Sequence, residues 1–322
     1  MSSRYVVNKL AFAVFTIVAT VLLMFILFRM MPGSPDRATK NPNMTQAQQA
    51  ALREKWGLDK PLFPDQLVSY VGATVTGDLG YSYKYRAQPV TEVIGGALWP
   101  TVLLLGLGEL IAMVLGLALG AVSGWRRGSP VDRLGNGISL VLYAMPYFVI
   151  GMPLIMLFAT ALHLLPTSGM STPGAPSDLL TTLGDVGAHL ILPLTAVSLG
   201  LIGGYSILMR SSIIETRAED YITTARAKGL RDRRILWTHA FPNALLPMVT
   251  WIAISFGYVI AGAITLEIVF NWPGIGTLTV EALDARDYPL LQGIFLLLAI
   301  SVVVANLIAD LVYGLLDPRV RA

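Results

Sequence analysis

Apolar residues run through this chain in long blocks, separated by shorter polar and charged intervals. Six blocks have the length that a bilayer crossing needs, about 20 helical residues. They are Leu10–Met31, Thr101–Gly124, Leu134–Leu164, His189–Met209, Leu246–Phe270 and Leu290–Leu311. The third contains Pro146 and Pro153, so a kink or tilt is expected there. Arg4 and Lys9 precede the first block, and Arg126, Arg127 and Arg133 lie between the second and third. Arg210, Arg217, Arg226, Lys228, Arg231, Arg233 and Arg234 lie between the fourth and fifth, and Arg319 and Arg321 close the chain. The interval Leu165–Ala188 has no Lys or Arg, and Asn271–Pro289 has only Arg286. Short basic loops stay on the cytoplasmic side. Both termini and the loop between the fourth and fifth blocks are therefore expected inside. The first block is too long for a signal-peptide core and lacks a small-residue cleavage site, so it reads as a retained span.

With 54% hydrophobic and 13% charged residues and a mean hydropathy of +0.64, the chain reads as an all-α polytopic membrane protein. The net charge of +3 does not point to nucleic acid, because the basic residues gather at span ends. The absence of Cys excludes disulfides and thiol catalysis. No G-x-x-x-x-G-K-[ST] is present to cradle ATP, and there is no H-E-x-x-H. His163, His189 and His239 are scattered over loops and span ends, so no metal site, catalytic residue or bound cofactor is expected in this chain. Ser123-Gly124 and Ser168-Gly169 would suit an intramembrane serine hydrolase only with a His in hydrogen-bond reach, and no spacing specifies one. Glu109, within LLLGLGELIAMVLG, is an acid at membrane depth. It reads equally as a functional acid, such as one coupling protons, and as a protonated or paired carboxyl facing a helix interface. Arg29 and Asp310 lie near span ends, where snorkelling or pairing is expected.

The charged interval Glu219–Pro247 organises the rest. Read as a helix, Ala218, Ile222, Ala225 and Gly229 fall on one narrow stripe of mostly small residues, a face expected to let a partner approach closely. Thr216 with Glu219, and Ser212 with Glu215, have capping-box spacing. Gly229, followed by apolar Leu230, predicts a helix stop with a Schellman contact.

This interval resembles the cytoplasmic "EAA" loop of ABC-importer permeases, with Ala225, Gly229 and Pro242 at the matching positions. The triplet Thr223-Thr224-Ala225 departs from the general pattern. TARAKG and NALLP (Asn243–Pro247) are similar to the dipeptide/oligopeptide/nickel permease subfamily. So are LREKWGLDKPL (Leu52–Leu62), GDLGYSY (Gly77–Tyr83), EIVFNWPGIG (Glu267–Gly276), ARDYPLLQG (Ala285–Gly293) and DLVYGLLDPR (Asp310–Arg319). Pro32-Gly33-Ser34-Pro35 resembles the subfamily's PG-D-P with Ser34 in place of Asp.

The resemblance implies six transmembrane helices with a type I ABC-importer permease (MetI-like) core. Residues 1–31 would be an N-terminal transmembrane helix and 32–100 an extracytoplasmic segment. Residues 101–322 would be the five-helix core, with the coupling loop at 210–246. It further implies a bacterial inner-membrane subunit that pairs with a second permease and carries peptides. Nickel, glutathione or sugars are alternatives within the class. Two cytoplasmic ATPase domains would bind ATP and Mg, and an extracytoplasmic solute-binding protein would deliver the solute. Glu219, Asp220, Tyr221, Ile222, Ala225, Arg226, Ala227, Lys228 and Gly229 would form the ATPase contact. Trp272, Pro273, Gly274 and Gly276 would form an outer, re-entrant loop beside the pathway. A proton-coupled secondary transporter using Glu109 is the rival reading, although inverted repeats are not visible.

Overall fold

The computed structural model describes residues 3–30, 45–47, 50, 61–85, 88–176, 178–260 and 263–316. Pro32–Pro35, most of Leu52–Leu62 and Asp317–Arg319 lie outside the described residues. Most of the described residues are helical, and an isolated bridge between Tyr81 and Pro89 is the only strand-like pairing among them.

Helix α1 spans Ser3–Met30, and α2, Leu67–Val75, follows a wide turn. The long α3, Val90–Trp125, begins before the expected span and carries Pro100 in its interior. Helix α4, Pro130–Ala144, is capped by Ser129, whose side chain accepts the Asp132 backbone N–H. It bends by 99° into the helical segment Tyr147–Ala161, α5. The break falls at Pro146, where the ring removes a backbone donor and forces extended geometry on its neighbour.

Helix α6, Leu179–Thr216, starts at an Asp178 cap and passes through Pro193. The short α7 is Asp220–Ala227. Asp232–Ala244, α8, meets α9, Leu246–Val259, at 59°. The fifth apolar block therefore does not run to Phe270 as one helix. It ends at Val259, and α10, Ile264–Val269, and α11, Ile275–Asp284, form a separate helix–turn–helix before α12, Tyr288–Leu316. Among the described residues, four helices are long and apolar enough to cross a membrane, or up to six spans if each bent pair counts as one.

The centre of the molecule is the parallel pair α3–α6. Gly108, Ala112, Gly116, Gly120 and Gly124 recur every fourth residue, so one face of α3 carries almost no side chain. A Cβ at Gly116 would lie 2.9 Å from the Ile202 carbonyl oxygen, and one at Gly124 would lie 2.7 Å from that of Arg210. Backbones packed this closely gain dispersion contacts where the hydrophobic effect offers little, since lipid tails are already apolar. By helix rise α3 is about 54 Å long and α6 about 57 Å, well beyond a hydrocarbon core of about 30 Å. The pair therefore projects its ends past the bilayer.

Two ends can be distinguished. The C-termini of α3 and α6 meet α7 and α8 at one, the α7 end. At the other, the α11 end, the N-terminus of α3 packs against α11 and the start of α12. Phe28 meets Phe295 there, with ring centroids 6.4 Å apart. A helix length away, Lys9 Nζ lies 2.8 Å from Asp310 Oδ2. Helices α1 and α12 thus run antiparallel, and residues near both termini share the α7 end. Asp310 is paired, one of the two outcomes expected for it.

Candidate functional site

At the α7 end, α6 runs uninterrupted to Thr216, and a tight turn leads into α7. Glu219 is the residue before α7, and its side chain makes no cap. Thr216 closes α6, and Ser212 and Glu215 lie within that helix. Neither pair forms the expected capping box, because the helix boundaries fall elsewhere. The stop at Gly229 is as expected. Gly229 has φ +76°, its N–H donates to the Arg226 carbonyl at 2.9 Å, and the Leu230 N–H donates to that of Ala225 at 3.3 Å. This pair of bonds is the Schellman motif.

The stripe faces inward. Ile222 is fully buried and Ala225 nearly so, packed with Ile213, Ile235, Leu236 and Trp125 of the same chain. The expectation that this stripe is the partner's contact face is therefore corrected for its two central residues. A helix of two turns cannot hold itself, and its few apolar positions go to its own core. Burying Ile222 alone is worth about 2 kcal/mol. Ala218 and Gly229, at the stripe's ends, are exposed, as are Asp220, Tyr221, Thr223, Thr224, Arg226, Ala227 and Lys228. The side turned away from the chain is thus polar, with Tyr221 as its one large aromatic.

Polar contacts bind α7 to the long pair. The guanidinium carbons of Arg217 and Arg226 lie 5.8 and 5.3 Å from the Trp125 ring centroid, within cation–π range. An Arg217 N–H donates to the Trp125 carbonyl at 2.9 Å. One residue thus joins the end of α3, the end of α6 and the body of α7. Two turns further in, Arg210 grips Asp132 through two bonds of 2.6 and 2.9 Å. Asp132 also accepts the Gly128 N–H at 2.8 Å and the Ser123 hydroxyl at 3.1 Å. This fork ties α6 to the start of α4 and to the turn after α3. Of these groups, Trp125 and Asp132 were not singled out from the sequence, and Arg226 was expected on a partner rather than on Trp125. A Trp beside Arg126 and Arg127 at a span end was the available signal for Trp125.

At the α11 end, the Trp272-Pro273-Gly274 turn joins α10 to α11. Trp272 is fully buried, and its indole N–H donates to the Pro100 carbonyl at 2.9 Å. That bond draws the turn onto α3 at its internal proline. Glu267, also fully buried, accepts the Thr101 hydroxyl at 2.9 Å and the backbone N–H groups of Gly276 and Thr277 at 2.7 and 3.1 Å. A carboxylate over the first turn of α11 satisfies donors that a helix start leaves free. Gly274 and Gly276 sit against this carboxylate and leave no room for a side chain. Glu267 lies in an apolar block as Glu109 does, and the same signal could have singled it out.

Two motifs distant in sequence meet beside this turn. Asp287, fully buried, accepts the Ser82 hydroxyl at 2.5 Å, the Tyr83 N–H at 2.8 Å and the Lys84 N–H at 3.0 Å. It also accepts the Leu290 N–H at 3.2 Å, capping α12. Lys84 Nζ pairs with Glu281 at 2.6 Å, and the Tyr85 hydroxyl donates to the same carboxylate. Burial opposes ionisation of Glu281, but Lys84 and Tyr85 together outweigh it and hold the carboxyl below its ordinary value.

Glu109 is buried between α3 and α6 and accepts the Tyr205 hydroxyl. Of its two open readings, this is the geometry of the paired carboxyl.

Comparison with known proteins adds what geometry alone does not. Residues 112–322 match the family described as "Binding-protein-dependent transport system inner membrane component". The chain is 37% identical over 338 residues to the dipeptide transport system permease protein DppB of Escherichia coli K12, covering 99% of this chain and 98% of that one. It is 32% identical over 319 residues to the oligopeptide transport system permease protein AppB of Bacillus subtilis 168, covering 99% of each. Its fold is similar to that of a chain in the inward-facing methionine ABC transporter MetNI, with a TM-score of 0.55 and 15% identity. That match covers 70% of this chain and 97% of the other. At that identity the likeness concerns the fold alone.

Proposed function

The chain belongs to the family of binding-protein-dependent transport system inner membrane components, and from that premise we infer that it is one of two related permease subunits forming the path of an ATP-driven peptide importer. The observation that carries this reading is α7, a short helix anchored inward by Ile222 and Ala225 and turned outward with polar residues. In the proposed assembly both termini and α7 face the cytoplasm of a bacterial inner membrane. Of two ATPase domains, each binding ATP and Mg, one docks on the exposed side of α7 and the other on the second permease. A solute-binding protein delivers peptide at the α11 end, near the Trp272 turn.

The arrangement suits the transmission of force. A displacement of α7 acts on Trp125 through Arg217 and Arg226, and so on the α3–α6 pair. The Arg210–Asp132 fork carries α4 along with them. Close backbone packing leaves this unit little room to deform, so it moves as a body. Opposite movement in the second permease would expose a cavity between the subunits alternately to each side. The ATPase supplies the energy, and this chain supplies the path.

The buried pairing of Glu109 with Tyr205 supports this reading over a proton-coupled transporter. Dipeptide uptake into proteoliposomes holding the full set of subunits tests it. Uptake should require ATP and survive collapse of the proton gradient. Uptake by this chain alone, following the gradient, would overturn the proposal.

A further inference from the structure

Beyond the contacts assigned above, α8 carries a charged concavity that neither the core nor α7 uses. Its inner face is spent on the fold, since Ile235, Leu236, Ala240 and Ala244 are all buried. Its outer face opens a cavity of ≈ 550 Å³ lined by Arg231, Arg233, Arg234 and Trp237. The three arginines are exposed, and among the described residues no carboxylate lies within ion-pair distance of them. The nearby Asp232 is directed to Arg226 instead, at 3.8 Å. Trp237 is 40% exposed and packs on Phe241 with ring centroids 5.0 Å apart. From Phe241 the chain passes directly into α9, whose first residue Leu246 is also exposed.

Three guanidiniums with no carboxylate partner among the described residues, at the end of an apolar span and beside a half-exposed indole, combine two chemistries. Guanidinium forks match phosphate oxygens, and a Trp at a span end settles at headgroup depth with its ring toward the acyl region. A soluble anion would use the first and leave the second idle. We propose that this concavity on α8 binds the headgroup of an anionic phospholipid, with the phosphate held by Arg231, Arg233 and Arg234 and the upper acyl chain lying on Trp237. The lipid then fixes the angle at which α8 enters the membrane next to the force-receiving α7.

The test uses the full chain purified with its bound partners and placed in nanodiscs of phosphatidylcholine with a minority of phosphatidylglycerol. Retained lipid is counted by native mass spectrometry. The wild type should retain phosphatidylglycerol in preference to phosphatidylcholine. Changing Arg231, Arg233 and Arg234 together to Gln should lower that preference at least about tenfold. Changing them together to Lys should leave an intermediate preference, because the charge remains while the fork geometry is lost, and Arg133→Gln should leave it unchanged. Excess inorganic phosphate should not displace the lipid, and displacement would assign the cavity to a free anion and overturn the proposal. No preference in the wild type would also overturn it. So would a triple Gln variant that retains lipid normally while releasing the ATPase, since the patch would then be a protein-docking surface.

Discussion

The two ends of the molecule both rely on buried carboxyl groups but use them in opposite ways. At the α11 end, Glu267 and Asp287 accept hydrogen bonds almost entirely from backbone N–H groups and neighbouring hydroxyls. Each carboxylate freezes one turn against one helix start. At the α7 end, the charged groups are side chains of different helices. Asp132 faces Arg210, and Arg217 and Arg226 lie on Trp125. The first arrangement fixes loops in place, whereas the second joins long helices while leaving the outer side of α7 open. A clamp and a joint are thus built from the same few residue types, and what separates them is whether the buried carboxyl meets neutral hydrogen-bond donors or another helix's guanidinium.

The largest effect that probes this contrast is expected from Arg210→Ala. It leaves the Asp132 carboxylate buried without its cation, a loss of about 3 kcal/mol or more. Thermal unfolding of the purified chain should show a clear drop, with α4 and α6 losing hydrogen-exchange protection together. At the opposite end, Asp287→Ala should destabilise by about 2 kcal/mol through unpaired Ser82, Tyr83 and Lys84 donors. Its effect should stay local, with faster exchange over residues 81–85 and little change at α6. Equal spreading in both variants would remove the distinction between clamp and joint.

Next in size is a matched pair on α7. Ala225→Trp forces bulk into a packed core position, at about 1–3 kcal/mol, and should lower both stability and uptake. Thr224→Trp places the same ring on the exposed side, so stability should hold while uptake falls. Stability losses of the same size in both would mean that the exposed side of α7 is packed as well.

Gly229→Ala should be milder. Nothing lies within 4 Å of a Cβ there, so only the left-handed backbone at φ +76° resists the change, by about 1 kcal/mol. A small shift in melting temperature with uptake largely retained is expected.

The smallest effect concerns pH at the α11 end. The Glu281 carboxyl is held below its ordinary value. Its contribution is therefore full above the ordinary carboxylate range and is lost as pH falls through the lowered value. Hydrogen exchange over residues 81–85 should stay constant through mildly acidic media. In Lys84→Met the same loosening should begin at higher pH, and an unchanged onset would show that the Lys84–Glu281 pair does not secure this loop.

Much of this was readable from the chain. The apolar blocks marked the spans, and Pro146 marked the sharpest bend. Gly229 announced the end of α7, and Trp272-Pro273-Gly274 announced a turn. What composition could not show was the break after Val259, because apolar residues continue on both sides of it and hydropathy is blind to a change in direction. The four-residue repeat of Gly108, Ala112, Gly116, Gly120 and Gly124 was present in the sequence. Its meaning depends on α6 lying alongside, which periodicity on one helix does not reveal. The stripe on α7 was legible as a packed face but not as one packed inward, since a contact face and a core face of a short helix look alike in sequence. Asp287 and Ser82 each sat within a singled-out motif, yet only the fold brings them together across the intervening spans.

The central claim is that the outward side of α7 receives the ATPase. The most direct measurement places a single Cys at Thr224 in this Cys-free chain and cross-links it in native membranes to the ATPase subunit. A Cys at exposed Thr172 on the loop between α5 and α6 serves as the control. A cross-linked product from Thr224 whose yield changes with bound nucleotide, and none from Thr172, is the predicted result. An intact, transport-active complex in which neither Thr224 nor Lys228 cross-links to the ATPase in any nucleotide state would contradict the account.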